Sequence, residues 1–323
     1  MTQLRFDGKK AKNPKAAFTL IEVLVVIAVV ALLLALLIPA VLGSREASRK
    51  HQCAANLHQI GTAVFAYEST HHYFPAGSNG YGASFFSSVL PFIEQNNLYN
   101  SINFEVVYLI GSPINATASS SKINSFLCPS DSSFIAGNNS GTNYCGNRGN
   151  GVQVHGYNGA FTVQNLPQTR TQEFTDGQSS TSLITEWLGG LDEIQDRDPR
   201  RGVFSTDSEK IRPEEFEVFA QSCRSLDPKL ANFGAPASKG SDWLTGEFGF
   251  SLYNHVLAPD SNSCTNGTAF QQGAWTSSSN HNNGVNLLFA DGHVIFVKDT
   301  IGIAVWRAIG SRNGHELVDV SGF

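Results

Sequence analysis

The sequence predicts an α+β chain. One long N-terminal helix, membrane-spanning in its first half and amphipathic in its second, packs on a loop-rich, mainly antiparallel β head. Three observations carry that expectation. The run Phe18–Leu42 is apolar throughout apart from Thr19 and one carboxylate, Glu22. Beyond Gly43 the apolar residues continue at helical spacing. Near the C-terminus, Val285–Ala290 and His293–Val297 are two apolar stretches around Asp291-Gly292, the pattern of a β-hairpin.

Taken in order, residues 1–17 are a basic leader, with Arg5, Lys9, Lys10, Lys12 and Lys15 against Asp7 alone. Residues 18–42 form the first half of the helix. Its 25 residues extend roughly 37 Å, enough to span a bilayer. The basic flank keeps the leader cytoplasmic and exports the chain beyond Leu42. Pro39 removes a backbone donor and is expected to kink or loosen this helix. Residues 43–74 continue it amphipathically, with Ala54, Leu57, Gly61, Val64 and Phe65 on one face. Arg45, Glu46, Arg49 and Lys50 lie on the wet side. Tyr73-Phe74-Pro75 and Gly77 end it, and residues 75–323 form the head.

Within the head, Ser84–Phe104 reads as a short helix with a turn at Pro91, and residues 111–151 as a long unpatterned connection. Val152–Phe161 and Thr181–Leu188 read as strands, Asp192–Glu217 as a charged surface excursion, and residues 221–280 as irregular. Asp291-Gly292 suits the positive φ angles of a tight primed turn. Asp299–Ile309 reads as a short helix capped by Gly310, and Glu316–Val320 as a last strand.

Only 15% of the 323 residues are charged, which fits an exported, loop-rich β domain better than a cytosolic enzyme. Of the five cysteines, at least one is left over from any set of disulfides. No CxxC or Cys/His zinc spacing occurs, so no cysteine-based metal site is expected. His281, Asp291 and His293, with Glu186 elsewhere, invite a catalytic or metal reading. Turn chemistry explains Asp291-Gly292 more simply, and His281 is placed to satisfy loop backbone groups. No Ser–His–Asp, paired-carboxylate or phosphate-loop spacing appears, so no enzyme is expected. His71-His72 point to different sides of a helix and make an awkward metal pair. Asp131, Asn138, Asn139 and Asn143 offer oxygen ligands for calcium, but without the regular spacing of a calcium loop. Trp187, Trp243, Trp275 and Trp306 are read as core aromatics rather than a glycan platform.

A carboxylate inside an apolar span costs several kcal/mol if left unpaired, so Glu22 is a functional candidate by default. Basic leader, small Ala17, aromatic Phe18, Thr19 and Glu22 together resemble the class III signal of type IV pilins and type II secretion pseudopilins. Pro39 matches a common pilin feature, whereas Ala17 stands where those proteins usually carry glycine. The resemblance implies cleavage between Ala17 and Phe18, N-methylation of Phe18, and pairing of Glu22 with a neighbouring subunit's N-terminal amine. Cleavage would remove five of 22 basic and one of 27 acidic residues. That leaves 17 against 26, a balance near −9 that argues against nucleic acid as a partner.

Further stretches run along nearly the whole chain. They are Arg45–Arg49 through Gln52-Cys53, Asn56–Gly61, Tyr73–Pro75, Leu90–Gln95, Phe126–Asp131 and Thr175–Gly177, then His281, nine residues, Asp291-Gly292, and Trp306–Ala308. These resemble a narrower family, the pilin-like proteins of unknown function abundant in planctomycete bacteria. The resemblance implies a pilin-like fold and a single-pass inner-membrane location with the head periplasmic or extracellular. It also implies assembly into a pilus or secretion pseudopilus, with a prepilin peptidase, an inner-membrane assembly platform and other pilins as partners; no cofactor is expected, with calcium the one left open. It favours a Cys53–Cys128 disulfide with Cys223–Cys264 as the second, while Cys128–Cys145 stays open. The alternative reading is a membrane-anchored extracytoplasmic module binding a glycan or another solute, which calls for a concave, aromatic-lined pocket.

Overall fold

The computed structural model describes residues 19–107, 113–132, 134, 141–151, 158–163, 166–190, 198–206, 215–266 and 273–316. The chain divides into two compact units that part between Ala47 and Ser48.

Helix α1 runs from Leu20 to His71, 52 residues without a break, through Pro39. Proline cannot donate to the Ala35 carbonyl, yet the expected interruption does not stop the helix. In its first part Leu20, Leu24, Ile27, Leu32, Leu36 and Leu42 are all more than half exposed. From Cys53 onward one face is buried: Cys53, Asn56, Leu57, Ile60, Gly61, Ala63 and Val64. These recur at three- and four-residue intervals, the stripe a helix needs to lie on a sheet. Gly61 is part of that fit, because a Cβ there would stand 2.6 Å from Leu288 Cδ2. His72, at φ 65°, closes the helix, its N–H donating to the Glu68 carbonyl at 2.7 Å.

The head holds two sheets. The first has the order β5-β1-β2-β8-β9, with β1 Tyr144–Asn147, β2 Ser182–Glu186, β5 Leu252–Tyr253, β8 Gly284–Phe289 and β9 Val294–Lys298. All its neighbours are antiparallel except β1 and β5. The second has the order β4-β3-β6-β7, with β3 Gly202–Ser205, β4 Phe233–Ser238, β6 Ser263–Thr265 and β7 Gly273–Ala274. Here only β3 and β6 run parallel. The α+β class and the mainly antiparallel pairing therefore hold.

The β8–β9 hairpin forms where expected, but not with a two-residue primed turn. Gly292 N–H donates to the Phe289 carbonyl, and Phe289 N–H to the His293 carbonyl. Gly292 takes φ 96° while Asp291 does not enter the positive-φ region. This is a three-residue loop, in which one left-handed glycine follows an ordinary turn. The reason is register: Leu288 pairs with Val294, leaving five residues between them rather than the six that a two-residue Asp291-Gly292 turn requires.

Several elements depart from the expectation. Residues 111–151 hold β1, the charged excursion holds β3, and the segment read as irregular holds β4 to β7. The helix Phe216–Ser225 also went unforeseen. These strands are short and mix Ser, Thr, Cys, Gly and Asn with their few apolar residues, so they show no long apolar alternation. β1, β5, β6 and β7 are buried all the same, with neighbouring groups satisfying many of their polar atoms. The C-terminal helix is Ile303–Ala308, shorter than Asp299–Ile309. Gly159 to Phe161 do not form the expected strand; its first part, residues 152–157, and the last four residues of the Glu316–Val320 strand lie outside the described residues.

Candidate functional site

Two places carry the residues singled out by the sequence: the start of α1 and the junction of its second half with the first sheet. Ala17 and Phe18 lie outside the described residues. Thr19 and Glu22 do not, and they form a reciprocal cap. The Thr19 N–H and hydroxyl each donate to Glu22 Oε2 at 2.8 Å, and the Glu22 N–H reaches Thr19 Oγ1 at 3.4 Å. This is the Thr-x-x-Glu capping box, which satisfies donors that a helix start otherwise leaves open. The spacing Thr19-Leu20-Ile21-Glu22 signals it, and an expectation fixed on membrane charge missed it.

The second place is buried. Cys53 of α1 is joined to Cys128 by a disulfide. Beside it, His281 Nε2 lies 3.8 Å from Cys128 Sγ and 3.5 Å from Glu186 Oε2. Glu186 closes β2, and its Oε1 accepts from the N–H and the side-chain amide of Asn286 at 2.7 and 3.1 Å. His281 is 4% exposed and Glu186 1%. The His281 N–H donates to Ser279 Oγ, which fixes the loop that carries it. The Tyr144 hydroxyl donates to the Cys53 carbonyl at 3.1 Å, and burial beside Glu186 drives its pKa well up. Asn56 of α1 donates to the Leu127 carbonyl at 2.9 Å.

The adjoining segment is knitted in the same way. Asp131 Oδ1 accepts from Arg201 Nη2 at 2.7 Å, and its Oδ2 accepts from Asn143 Nδ2 at 2.8 Å and Gly189 N at 3.0 Å. Asn143 Oδ1 in turn accepts from the Cys128 N–H. A guanidinium thus stands against the carboxylate that was offered to calcium, while Asn138 and Asn139 lie outside the described residues.

Asp291 does not join His281. It sits at the exposed hairpin tip, where its Oδ1 accepts from the His293 N–H at 3.1 Å and lies 2.5 Å from His293 Nδ1. Gly292 faces Phe65 of α1; a Cβ there would come within 3.2 Å of that ring. Cys223, on the helix Phe216–Ser225, is joined to Cys264 on β6, and Cys145 is a buried free thiol whose pKa burial pushes well up. His71 stacks on Tyr67 at 4.0 Å. Trp187, Trp243, Trp275 and Trp306 are all buried in the head.

One arrangement that spacing did not reveal resembles a nucleophile and base. His255 Nε2 is 2.8 Å from Ser182 Oγ, and its Nδ1 donates to the Trp306 carbonyl at 2.7 Å. Both side chains are wholly buried, and burial lowers the imidazole pKa to about 3, so the pair is a core hydrogen bond. A groove of about 620 Å³ lies beside α1, bordered by Gln52, Gln59, Gln95, Lys122 and Asn124. No aromatic ring lines it, so it lacks what the binding-module reading calls for.

An apolar helix long enough to cross a membrane, opening on a Thr–Glu cap and continuing into a disulfide-tied α+β head, defines a pilin-like protein with a single-pass membrane anchor. Comparison with known proteins agrees. Residues 12–38 match the prokaryotic N-terminal methylation motif. Residues 44–304 match the family described as protein of unknown function (DUF1559), and the chain belongs to that family. It is also similar to the type II secretion system core protein G of Escherichia coli strain K12, at 25% identity over 87 residues. That match covers 27% of this chain and 60% of the relative's length. No solved structure matches the chain. The matched descriptions are pilin-like or of unknown function, and none of them is catalytic.

Proposed function

We propose that this protein is a pseudopilin or minor-pilin-like structural subunit. It is inserted with the leader cytoplasmic, cut by a prepilin peptidase between Ala17 and Phe18, N-methylated on Phe18, and assembled through residues 18–42. The observation that carries this reading is the exposed apolar surface of Leu20–Leu42 interrupted by a single carboxylate, Glu22. Cleavage puts a new amine on Phe18, four residues from that carboxylate in sequence. In an assembly, Glu22 of one subunit neutralises the amine of the next, and leaving either charge alone costs several kcal/mol, so the pair fixes register. A head of this size favours a specialised component over a densely packed major subunit.

Glu22 also caps its own helix, and the test must separate the two roles. Glu22→Gln keeps an acceptor for Thr19 but loses the charge; Glu22→Val loses both. The expected result is that both variants insert into the membrane and neither enters filaments. Normal incorporation of Glu22→Gln would defeat the charge-pairing reading. Intact mass and N-terminal sequencing of native protein test the processing step, which a mature start at Met1 would rule out.

A further inference from the structure

We infer that the cluster Cys53, Cys128, Glu186 and His281 is a redox-gated zinc site: a disulfide beside a Glu–His pair when oxidised, and a four-ligand tetrahedral site when the cysteines are thiols. One ligand atom from each residue falls within 4.8 Å of all the others, and all four residues are buried. Zinc bonds of about 2.0–2.3 Å to oxygen, nitrogen and sulfur require ligand atoms about 3.3–3.8 Å apart at a tetrahedral centre. His281 Nε2 already stands 3.5 Å from Glu186 Oε2 and 3.8 Å from Cys128 Sγ. The two sulfurs must part, from bonding distance to about 3.7 Å, and the remaining pairs, all within 4.8 Å, need only close to that spacing.

An independent feature points the same way. Glu186 Oε2 is buried and receives no hydrogen bond among the described residues, while Oε1 is held twice by Asn286. A carboxylate with one oxygen fixed and the other turned into a cluster of sulfur and imidazole is arranged as a ligand with its outer support in place. Two thiolates, one carboxylate and a neutral imidazole leave a net charge of −1 around zinc. Lys50 is a cation coupled electrostatically to Glu186. The donor set of two sulfurs, one nitrogen and one oxygen closes the coordination shell, as structural zinc does. The four ligands stand so far apart in the chain that no spacing motif announces them.

The chemistry balances simply. A newly made chain carries both cysteines as thiols, and zinc entry displaces their two protons. Starting from the disulfide, a phosphine reductant and one water supply two electrons and two protons, and the phosphine leaves as its oxide. A phosphine suits the test because it competes for zinc less than a dithiol does.

The experiment uses the full chain in detergent, oxidised or phosphine-reduced, loaded with zinc, freed of unbound metal and assayed for bound zinc. The reduced wild type is expected to hold one more zinc per chain than the oxidised form. His281→Gln and Glu186→Gln, equally reduced, should bind it at least about 10–100-fold more weakly, since even outer partners of a ligand are worth that much. The wild type loaded with cobalt keeps the test independent of whether the variants fold. A tetrahedral spectrum with sulfur-to-cobalt charge transfer is expected only after reduction. Equal zinc in reduced wild type and His281→Gln, or an octahedral cobalt spectrum without the sulfur band, overturns the assignment.

Discussion

Replacing Arg201 by methionine is expected to destabilise the head more than any surface change, because it takes from buried Asp131 its charged hydrogen-bond donor. The two side chains are 8% and 1% exposed. Arg201 gives Asp131 Oδ1 a charged hydrogen bond at 2.7 Å, and through Nη1 it gives the Gly189 carbonyl another at 2.7 Å. Methionine fills much of the volume and supplies neither. The carboxylate keeps two neutral donors, Asn143 Nδ2 and Gly189 N, and loses its charged hydrogen-bond donor. Breaking a buried pair by removing one partner costs about 3–5 kcal/mol. The two remaining donors place this case near the lower end, about 3 kcal/mol. At about 2–4 °C per kcal/mol for a domain of this size, Tm should fall by about 6–12 °C. Thermal unfolding of the full chain in detergent, followed by near-ultraviolet circular dichroism at one scan rate, measures it. The double variant Asp131→Asn/Arg201→Met removes the buried charge together with its donor and should recover at least about 1 kcal/mol relative to additivity. A single variant within about 2 °C of wild type, or a double variant that is merely additive, would refute the reasoning.

Glu247 gives a pH signature. Burial pushes its pKa up from 4.5 to about 7, so the folded chain holds a proton that the unfolded chain has released. Its contribution favours the fold below about pH 4.5 and fades as pH rises through about 7, by about 3 kcal/mol in all. Urea titrations at pH 5 and pH 8 should show that Glu247→Gln removes this fall, and parallel curves for variant and wild type would contradict it. Gly292→Val places a β-branched residue at φ 96° and drives it toward Phe65, so a loss of about 2 kcal/mol in the same titration is expected. Cys145 is both buried and held as a thiol, so a maleimide should label one site per chain only after denaturation. Labelling of the native protein would show that the thiol is accessible.

The legible parts of the fold were those with a strong apolar period. The long helix, the Thr181–Leu188 strand and the β8–β9 hairpin each bury a run that a sequence displays openly. The strands β1, β6 and β7 were not legible, because Tyr144-Cys145-Gly146-Asn147 and Ser263-Cys264-Thr265 look like loop sequence. Their burial rests on partners brought from far along the chain. Asn147 Nδ2 donates to the Ser182 carbonyl and the Gly310 carbonyl, and Ser263 Oγ meets Thr276 Oγ1. The motif His281 to Asp291-Gly292 misleads for a related reason. A fixed spacing of nine residues reads as one site, yet it spans strand β8. That strand carries one end into the core beside Glu186 and the other to the exposed tip. Glu186 is a hundred residues from its fastening on Asn286, so proximity in three dimensions had no counterpart in the chain.

Several of the stretches that carry the family resemblance gather where α1 meets the sheet: Gln52-Cys53, Asn56, Phe126 to Asp131 and His281. In a subunit assembled through residues 18–42, any load between the assembled segment and the head passes along the chain through this joint. A covalent link is what such a joint calls for. The Cys53–Cys128 bond spans 75 residues, and chain entropy alone gives a cross-link of that span about 4.5 kcal/mol. Cys53→Ala/Cys128→Ala should therefore lower Tm by about 9–18 °C while leaving membrane insertion unchanged, since no residue of the inserted segment is altered. Zinc held by the same two sulfurs would restore a cross-link of the same span without the disulfide. The expected order of Tm is oxidised, then reduced with zinc, then reduced without it. Reduced protein whose Tm does not respond to zinc would mean that the joint relies on the disulfide alone.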